Sequence, residues 1–186
     1  MTNLRWGFLG NGWIATVLAK DFAHAGLTIQ SVGARTQEKA EDFGNQFSIP
    51  NRHPSYEALV NDDEVDIVYI ATPHTRHHQD ALLAIKAGKH VLLEKPFTVN
   101  AREAKEVIDA AKSKNVFIME AMWTRFLPVQ SAIQEVIKNG LIGRPRYIVA
   151  EHSQELTSKP RLWDPELGGG TLLDLGIYPL NFIVRI

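Results

Sequence analysis

A glycine-rich turn near the start of the chain constrains the fold more than any other feature. Residues 4–9 form a short apolar run, and residues 10–15, GNGWIA, follow it directly. Apolar residues then recur at helical spacing, so the turn joins a predicted strand to a predicted helix. In the GxGxxG/A pattern the first glycine permits the tight turn and the second lets a pyrophosphate approach the backbone. A plain structural turn is the alternative, but this context favours a dinucleotide site with four contacts: Gly10, Gly12, Trp13 and Ile14.

Strand and helix signals alternate along the rest of the chain. Residues 65–71, VDIVYIA, form an apolar run typical of a strand that is buried on both faces. Thr36, Ser55 and Asn100 each precede a helical pattern and are predicted to be helix N-caps. Such alternation favours βαβ units, so we predict an α/β fold with a Rossmann-like doubly wound parallel sheet. One more strand is predicted at Arg146–His152, where the chain offers it no obvious neighbour.

Composition excludes several classes of protein. The 186 residues contain no cysteine, which excludes disulfides, Cys-zinc sites, iron–sulfur clusters and a Cys nucleophile. The formal net charge of -1 gives no field that would attract nucleic acid or anionic membranes. Residues 167–184 are apolar apart from Asp174, but three adjacent glycines and Pro179 predict a buried loop and helix rather than a membrane span. No signal-peptide pattern opens the chain, so we expect a cytoplasmic protein.

The end of the second predicted strand indicates which dinucleotide binds. An NAD site usually places an acidic residue there, to bond the ribose 2′-hydroxyl. Here the strand ends Gly-Ala-Arg35-Thr36, without an acid. Arg35 could pair with a 2′-phosphate, with Thr36 as a hydroxyl donor and Lys39 one turn later. A solvated surface arginine is the alternative, and NADP is predicted in preference to NAD.

Polar residues also follow the other predicted strands, at the edge where ligands of open parallel sheets bind. Thr72, Pro73 and His74 follow one strand, and Glu94 and Lys95 follow the next. A surface ion pair is the plain interpretation of the latter two. At the end of a buried strand, however, Lys95 would point toward the nicotinamide, where it could bond a reacting hydroxyl and lower the pKa of a neighbouring acid.

Three histidines lie close together in the sequence, at positions 74, 77 and 78. They fall at a strand-to-helix turn, so the three side chains could not all face one point. Asp80 is the sole carboxylate nearby. We therefore predict no metal site, with helix-capping or solvated histidines as the alternatives.

Several segments together resemble the glucose–fructose oxidoreductase and inositol dehydrogenase (Gfo/Idh/MocA) family. They are residues 7–15, GFLGNGWIA; residues 71–74, ATPH, with His77; and residues 87–96, AGKHVLLEKP. Residues 120–126, EAMWTRF, and 168–178, GGGTLLDLGIY, resemble the branch of dimeric dihydrodiol dehydrogenases and xylose dehydrogenases. The resemblance spans essentially the whole chain.

The resemblance implies roles for individual residues. Lys95 matches the family's catalytic-region lysine, Asp174 its substrate-site carboxylate, and Tyr178 a proposed acid/base. These three form the implied catalytic set. The implied substrate contacts are Trp123, Trp163, Asp174 and Tyr178. Residues implied to complete the cofactor site are His77, Glu94, Lys95, Trp123 and Arg125.

The resemblance also implies a domain plan and a reaction. Residues 1–122 would be the dinucleotide-binding domain, and residues 123–186 a linking helix and the truncated start of an α+β domain with an open-faced sheet. The reaction would be hydride transfer between NADP and a CH–OH group of a sugar, polyol or trans-dihydrodiol, in a homo-oligomeric parent protein. The alternative is a catalytically silent NAD(P)-binding domain, either a fragment or a sensor. A reductase of a biliverdin-like substrate is a third hypothesis, which the D-x-G-x-Y segment disfavours.

Overall fold

Six parallel strands form one sheet in the computed structural model, which describes residues 4–186. The strands are β1 (Trp6–Leu9), β2 (Ile29–Gly33), β3 (Asn51–His53), β4 (Ile67–Ile70), β5 (His90–Leu93) and β6 (Ile118–Glu120). Their order across the sheet is β3-β2-β1-β4-β5-β6. This is the doubly wound arrangement, and it confirms the predicted Rossmann-like fold. The sequence analysis missed β3, whose three polar residues show no apolar alternation.

The helices follow the strands as the sequence predicts. They are α1 (Trp13–His24), α2 (Gln37–Phe47), α3 (Tyr56–Val60), α4 (His77–Lys86), α5 (Ala101–Lys114), α6 (Pro128–Lys138) and α7 (Ile177–Ile183). Side-chain oxygens of Thr36, Ser55 and Asn100 accept backbone N–H groups at the starts of α2, α3 and α5. These bonds satisfy donors that a helix terminus leaves unpaired.

Two apolar cores lie on opposite faces of the sheet, because successive residues of a strand point to opposite sides. Phe8 and Tyr69 pack with residues of α1 and α2 in one core. Leu9 and Ile70 pack with residues of α4 and α5 in the other. All four of these strand residues are fully buried. Burial on both faces explains why the central strands are nearly continuous apolar runs.

A carboxylate network fastens the β3 edge of the sheet. Asp62 accepts hydrogen bonds from Ser31 Oγ at 2.7 Å and Asn51 Nδ2 at 3.1 Å, and its Oδ2 lies 2.8 Å from His53 Nε2. Its other oxygen accepts the backbone N–H of Glu64 at 2.8 Å. One side chain thus links β2 and β3 to the loop that precedes β4.

The described chain forms two compact units, which meet in sequence between Ala121 and Met122. The second unit holds α6, α7 and, just before α7, a π-helical turn at Leu172–Gly176. The strand predicted at Arg146–His152 is wrong, since residues 145–156 have no regular secondary structure. A strand needs neighbours for its backbone N–H and C=O groups, and nothing within residues 4–186 pairs with this segment. The helices of the described residues include none with the length and apolar character needed to cross a bilayer.

Candidate functional site

The glycine turn lies at the point where the order of the strands reverses. β1 and β4 are neighbours at the centre of the sheet; α1 leads from β1 to β2 on one side, and α4 leads from β4 to β5 on the other. Gly10 follows β1 with a φ of +102°, and a Cβ there would lie 3.0 Å from the carbonyl oxygen of Ala71. Only glycine suits that conformation and that approach. Crevices at such a switch point are where doubly wound sheets bind ligands.

Three observations fit a dinucleotide pyrophosphate at this crevice. α1 begins after Gly12 with no side-chain cap, so no capping side chain takes up its first backbone N–H groups. A Cβ built on Gly12 meets nothing within 4 Å, which leaves open space above the turn. Thr72, beyond the end of β4, has a buried hydroxyl with no hydrogen-bond partner among the described residues. An anion acceptor would satisfy such donors at a helix N-terminus.

The end of β2 carries the residues predicted to choose between NADP and NAD. Arg35 and Lys39 are exposed, and Thr36 Oγ1 accepts the Lys39 N–H at 3.3 Å. That bond uses an oxygen lone pair, so the Thr36 hydroxyl can still donate. Asn11, which the sequence analysis did not single out, donates from Nδ2 to the Lys39 carbonyl at 3.2 Å. It therefore ties the glycine turn to the first turn of α2.

A partly buried acid precedes the candidate catalytic lysine. Glu94 accepts the Tyr69 hydroxyl at 2.6 Å and the Lys95 backbone N–H at 3.1 Å. Burial raises the pKa of Glu94, and these two hydrogen bonds only partly oppose the shift. Burial and the adjacent carboxylate raise the pKa of Tyr69. Lys95 itself is half-buried at the end of β5, and its bond to Pro96 is cis.

His77 bridges the ends of two strands. Its imidazole is fully buried, with Nδ1 2.7 Å from the Pro96 carbonyl oxygen and Nε2 2.9 Å from that of Thr72. Burial lowers the pKa of His77, although the two carbonyls oppose the shift. A neutral ring can donate to only one of them. The bridge fixes the spacing between the segments after β4 and β5, and a direct cofactor contact stays a prediction.

The other two histidines of this turn have separate environments. His74 opens a short 3₁₀ turn, with its ring centroid 5.8 Å from that of His77. His78 Nε2 lies 2.8 Å from a carboxylate oxygen of Glu106. Asp80 is fully buried and pairs with Arg76 at 2.6 Å. Residues 4–186 contain no group of three His, Cys, Asp or Glu side chains that could hold a metal ion.

In the second unit, Tyr178 lies between two other rings. Its centroid is 5.0 Å from that of His152 and 6.3 Å from that of Trp123. Trp123 is 59% exposed, so one aromatic surface faces solvent beside the tyrosine. Sequence reasoning found Tyr178 and Trp123 through the family resemblance and missed His152. No spacing rule connects His152, in an irregular segment, to Tyr178 at the start of α7.

Two arginine pairs hold the segments around Tyr178. Arg161 donates from Nη2 at 2.8 Å and from Nε at 3.1 Å to one oxygen of the buried Asp174. With the Asn181 amide oxygen turned toward it, Arg125 donates from Nε and Nη2 at 2.8 and 2.7 Å. The sequence analysis named Asp174 and Arg125 but neither partner. Trp163, a predicted substrate contact, is exposed and donates its indole N–H to the Thr157 carbonyl at 2.9 Å.

The predicted site residues therefore divide between the two units. The glycine turn, Arg35, Thr72, Glu94 and Lys95 belong to the first unit. The second contains residues Trp123, Arg125, Trp163, Asp174 and Tyr178. The joint action of Lys95 and Tyr178 stays a prediction.

Family models match both parts of the chain. One described as "Oxidoreductase family, NAD-binding Rossmann fold" (GFO_IDH_MocA) matches residues 4–122. Another, described as "GFO/IDH/MocA C-terminal domain", matches residues 130–186.

Similar proteins include a trans-1,2-dihydrobenzene-1,2-diol dehydrogenase of Mus musculus, 42% identical over 98% of this chain and 56% of the relative. The human protein of that name is 38% identical over 96% of this chain and 54% of its own length. The chain thus spans about half the length of the curated relatives it matches.

Solved structures agree with the fold. An NAD-binding oxidoreductase from Klebsiella pneumoniae superposes with a TM-score of 0.89 at 28% identity, covering 98% of this chain and 52% of that one. A 3-ketoreductase from Actinomadura kijaniata in complex with NADP and TDP-benzene gives 0.80 at 27% identity, covering 96% and 56%.

Proposed function

The chain belongs to the GFO/IDH/MocA family of oxidoreductases, and from that premise we propose that it serves NADP-dependent hydride transfer at a CH–OH group of a sugar, polyol or trans-dihydrodiol. The observation that carries the proposal is the uncapped N-terminus of α1 beside open space at Gly12. In the proposed function, residues 1–122 bind the dinucleotide. Residues 123–186 form a linking helix and the start of the substrate domain.

NADP is proposed over NAD because the end of β2 presents cations and no acid. Arg35 and Lys39 are exposed at this point, where a ribose 2′-phosphate would lie. Arginine binds phosphate through charge-assisted, often bidentate, hydrogen bonds. The Thr36 hydroxyl can add a donor.

Fluorescence titrations of the 186-residue chain with NADP and NAD test this proposal. Arg35→Ala should weaken NADP binding by roughly 10- to 100-fold, as expected when a charged hydrogen-bond partner is removed, and leave NAD binding nearly unchanged. Arg144→Ala, at an exposed arginine of the other unit, is the control and should change neither affinity. Equal losses for both dinucleotides in the Arg35 variant would refute the assignment.

The chemistry we propose uses three side chains. When bound, the nicotinamide would supply the hydride acceptor or donor. Tyr178 takes the proton of the substrate hydroxyl, or returns it in the reverse direction. Lys95 contributes positive charge that favours the tyrosinate and orients the hydroxyl, and Asp174 positions the substrate or the lysine.

A double-mutant cycle tests whether Lys95 and Tyr178 act together. Lys95→Met and Tyr178→Phe should each lower kcat by about 10²-fold, the scale of general acid–base assistance. The double variant should lose little more than either single one, because residues that act as a unit are non-additive. Lys86→Met, at an exposed lysine of α4, is the control. Fully multiplicative losses would show that the two residues act independently.

The dinucleotide titrations and the kcat measurements together distinguish an enzyme from a protein that only binds the dinucleotide. NADP binding without turnover of any sugar, polyol or dihydrodiol would favour a silent nucleotide-binding domain instead. A cytoplasmic location and homo-oligomeric assembly remain predictions from the sequence.

A further inference from the structure

We propose that His152 is a specificity-determining residue, which makes the site around Tyr178 select a polyhydroxylated substrate over an arene dihydrodiol. The inference rests on the proposed function, since it assumes that Tyr178 meets the reacting hydroxyl. It goes further by naming the residue that separates sugars and polyols from dihydrodiols, and the hydrogen bonding by which it does so.

The geometry places a polar ring against the candidate acid/base. The His152 and Tyr178 centroids are 5.0 Å apart with 57° between the ring planes, so the two rings lie against each other in a tilted arrangement. Trp123 lies on Tyr178 at 6.3 Å in a T-shaped arrangement. The tyrosine therefore contacts two rings, the largely apolar indole of Trp123 and an imidazole whose nitrogens can form hydrogen bonds.

A neighbouring amide orients the imidazole. Gln154 Nε2 lies 3.2 Å from His152 Nε2. An amide NH₂ group can only donate, so His152 Nε2 accepts, and the proton of the neutral ring resides on Nδ1. The exposed His152 thus presents a directed N–H donor beside the tyrosine.

This arrangement suits a sugar better than an arene diol. A sugar ring offers C–H faces for an aromatic surface such as Trp123 and hydroxyls around its whole edge. A dihydrodiol has two vicinal hydroxyls, and the rest of its edge is apolar. With one hydroxyl at Tyr178, the diol keeps a single other hydroxyl, on the adjacent carbon, and its remaining ring positions would set diene carbon against the imidazole. A sugar offers a hydroxyl to His152 at nearly every ring position. A site built to bond a hydroxyl discriminates against an analogue that lacks it, because its own polar group is left unpaired.

Titrations of the NADP-loaded 186-residue chain, followed by NMR of the tyrosine and histidine rings, test the proposal. The probes are D-xylose and trans-1,2-dihydrobenzene-1,2-diol. The wild-type chain should bind the sugar more tightly. His152→Phe, which retains an aromatic ring, should weaken sugar binding by about 3- to 10-fold, the scale of one neutral hydrogen bond, and leave diol binding equal or tighter. His152→Asn, which retains a donor, should keep more of the sugar affinity than His152→Phe does.

The control is His24→Phe, the same substitution at an exposed histidine of α1. It should alter neither affinity. Tighter binding of the diol by the wild type, no sugar binding beside intact NADP binding, or equal effects of His152→Phe on both probes would each overturn the inference while leaving the cofactor proposal standing. Failure of the wild-type chain to bind NADP would instead refute the proposed function, and the inference with it.

Discussion

The two units of this chain are stabilised in different ways. The first holds two apolar cores, one on each face of a six-stranded sheet. In the second, the buried apolar side chains are Met122, Leu162 and Leu175. Short 3₁₀ turns make up part of this unit, and its contacts include an aromatic cluster at Tyr178 and arginine pairs such as Arg161 with Asp174.

The difference teaches where each kind of candidate residue sits. The candidate dinucleotide-binding residues follow strands whose positions are fixed by burial. The candidate substrate residues lie on segments whose positions depend on polar contacts between side chains. Substitutions should therefore act through core packing in the first unit and through hydrogen bonding in the second.

The largest effect should come from a cavity in the first unit. Ile70→Ala removes a fully buried side chain between β4 and the helices α4 and α5. It should lower the free energy of unfolding by about 2–5 kcal/mol in urea titrations. Val149→Ala, at a side chain that is 72% exposed in the second unit, should stay within about 0.5 kcal/mol of the wild type. Comparable losses in the free energy of unfolding of the two variants would contradict the difference in how the two units are stabilised.

Loss of the arginine partner of Asp174 should be the next largest effect. Arg161→Ala removes two guanidinium hydrogen bonds from a carboxylate that is 3% exposed. The expected local cost is about 1–3 kcal/mol, at the low end because the arginine side chain is 40% exposed. Amide hydrogen exchange over residues 160–176 should accelerate, while exchange in β1 and β4 should not change. Unaltered protection in 160–176 would show that this pair does not hold the second unit.

Helix capping gives a smaller contrast. The Asn100 side chain accepts the Glu103 N–H at 3.0 Å, whereas no side chain caps α6. Asn100→Ala should lower the free energy of unfolding by about 1 kcal/mol. Ser131→Ala, at an exposed position within α6, should have almost no effect or stabilise that helix slightly. An equal loss in both variants would contradict the assigned role of the cap.

The smallest effect should be a change in how the free energy of unfolding depends on acidic pH, caused by Asp62 at the β3 edge. Burial by itself would raise the pKa of Asp62, but hydrogen bonds from Ser31, the Glu64 N–H, His53 and Asn51 lower it to about 2. A depressed carboxyl pKa adds stability above its unfolded value, near ~4, and that stability disappears as the pH falls toward 2. The difference in urea midpoint between wild type and Asp62→Asn should therefore shrink between pH 4 and pH 2. Asp63→Asn, at an exposed neighbour, should show no such convergence.

Much of the first unit could be predicted from the sequence because burial leaves a periodic pattern. At several places the residue types by themselves indicate the local structure. These places are the apolar run at residues 65–71, the glycine turn, and the helix caps at Thr36, Ser55 and Asn100. The edge strand β3 escaped, since Asn-Arg-His carries no apolar signal. Its pairing depends on Asp62, nine residues beyond His53, and side-chain contacts of that kind leave no periodicity.

The second unit was less predictable for the same reason. The alternating residues of Arg146–His152 carry a strand pattern, but strand formation depends on a neighbour and not on the pattern alone. Asp174 and Tyr178 were found through family resemblance, whereas Arg161 and His152 become visible only when distant segments meet. Asn11 in the first unit is a parallel case, because its contact with the Lys39 carbonyl joins the glycine turn to the first turn of α2.

His77 contacts a carbonyl beyond each of two strand ends, and one of these contacts is attractive while the other is repulsive. With one ring proton between carbonyl oxygens at 2.7 and 2.9 Å, one nitrogen attracts its carbonyl while the lone pair of the other repels. Transfer of the proton from Nδ1 to Nε2 exchanges the two roles. A ligand that moved either segment outward would therefore favour the tautomer in which His77 donates to the other carbonyl. The nitrogen NMR resonances of His77 would therefore report a displacement of either segment at the edge of the crevice.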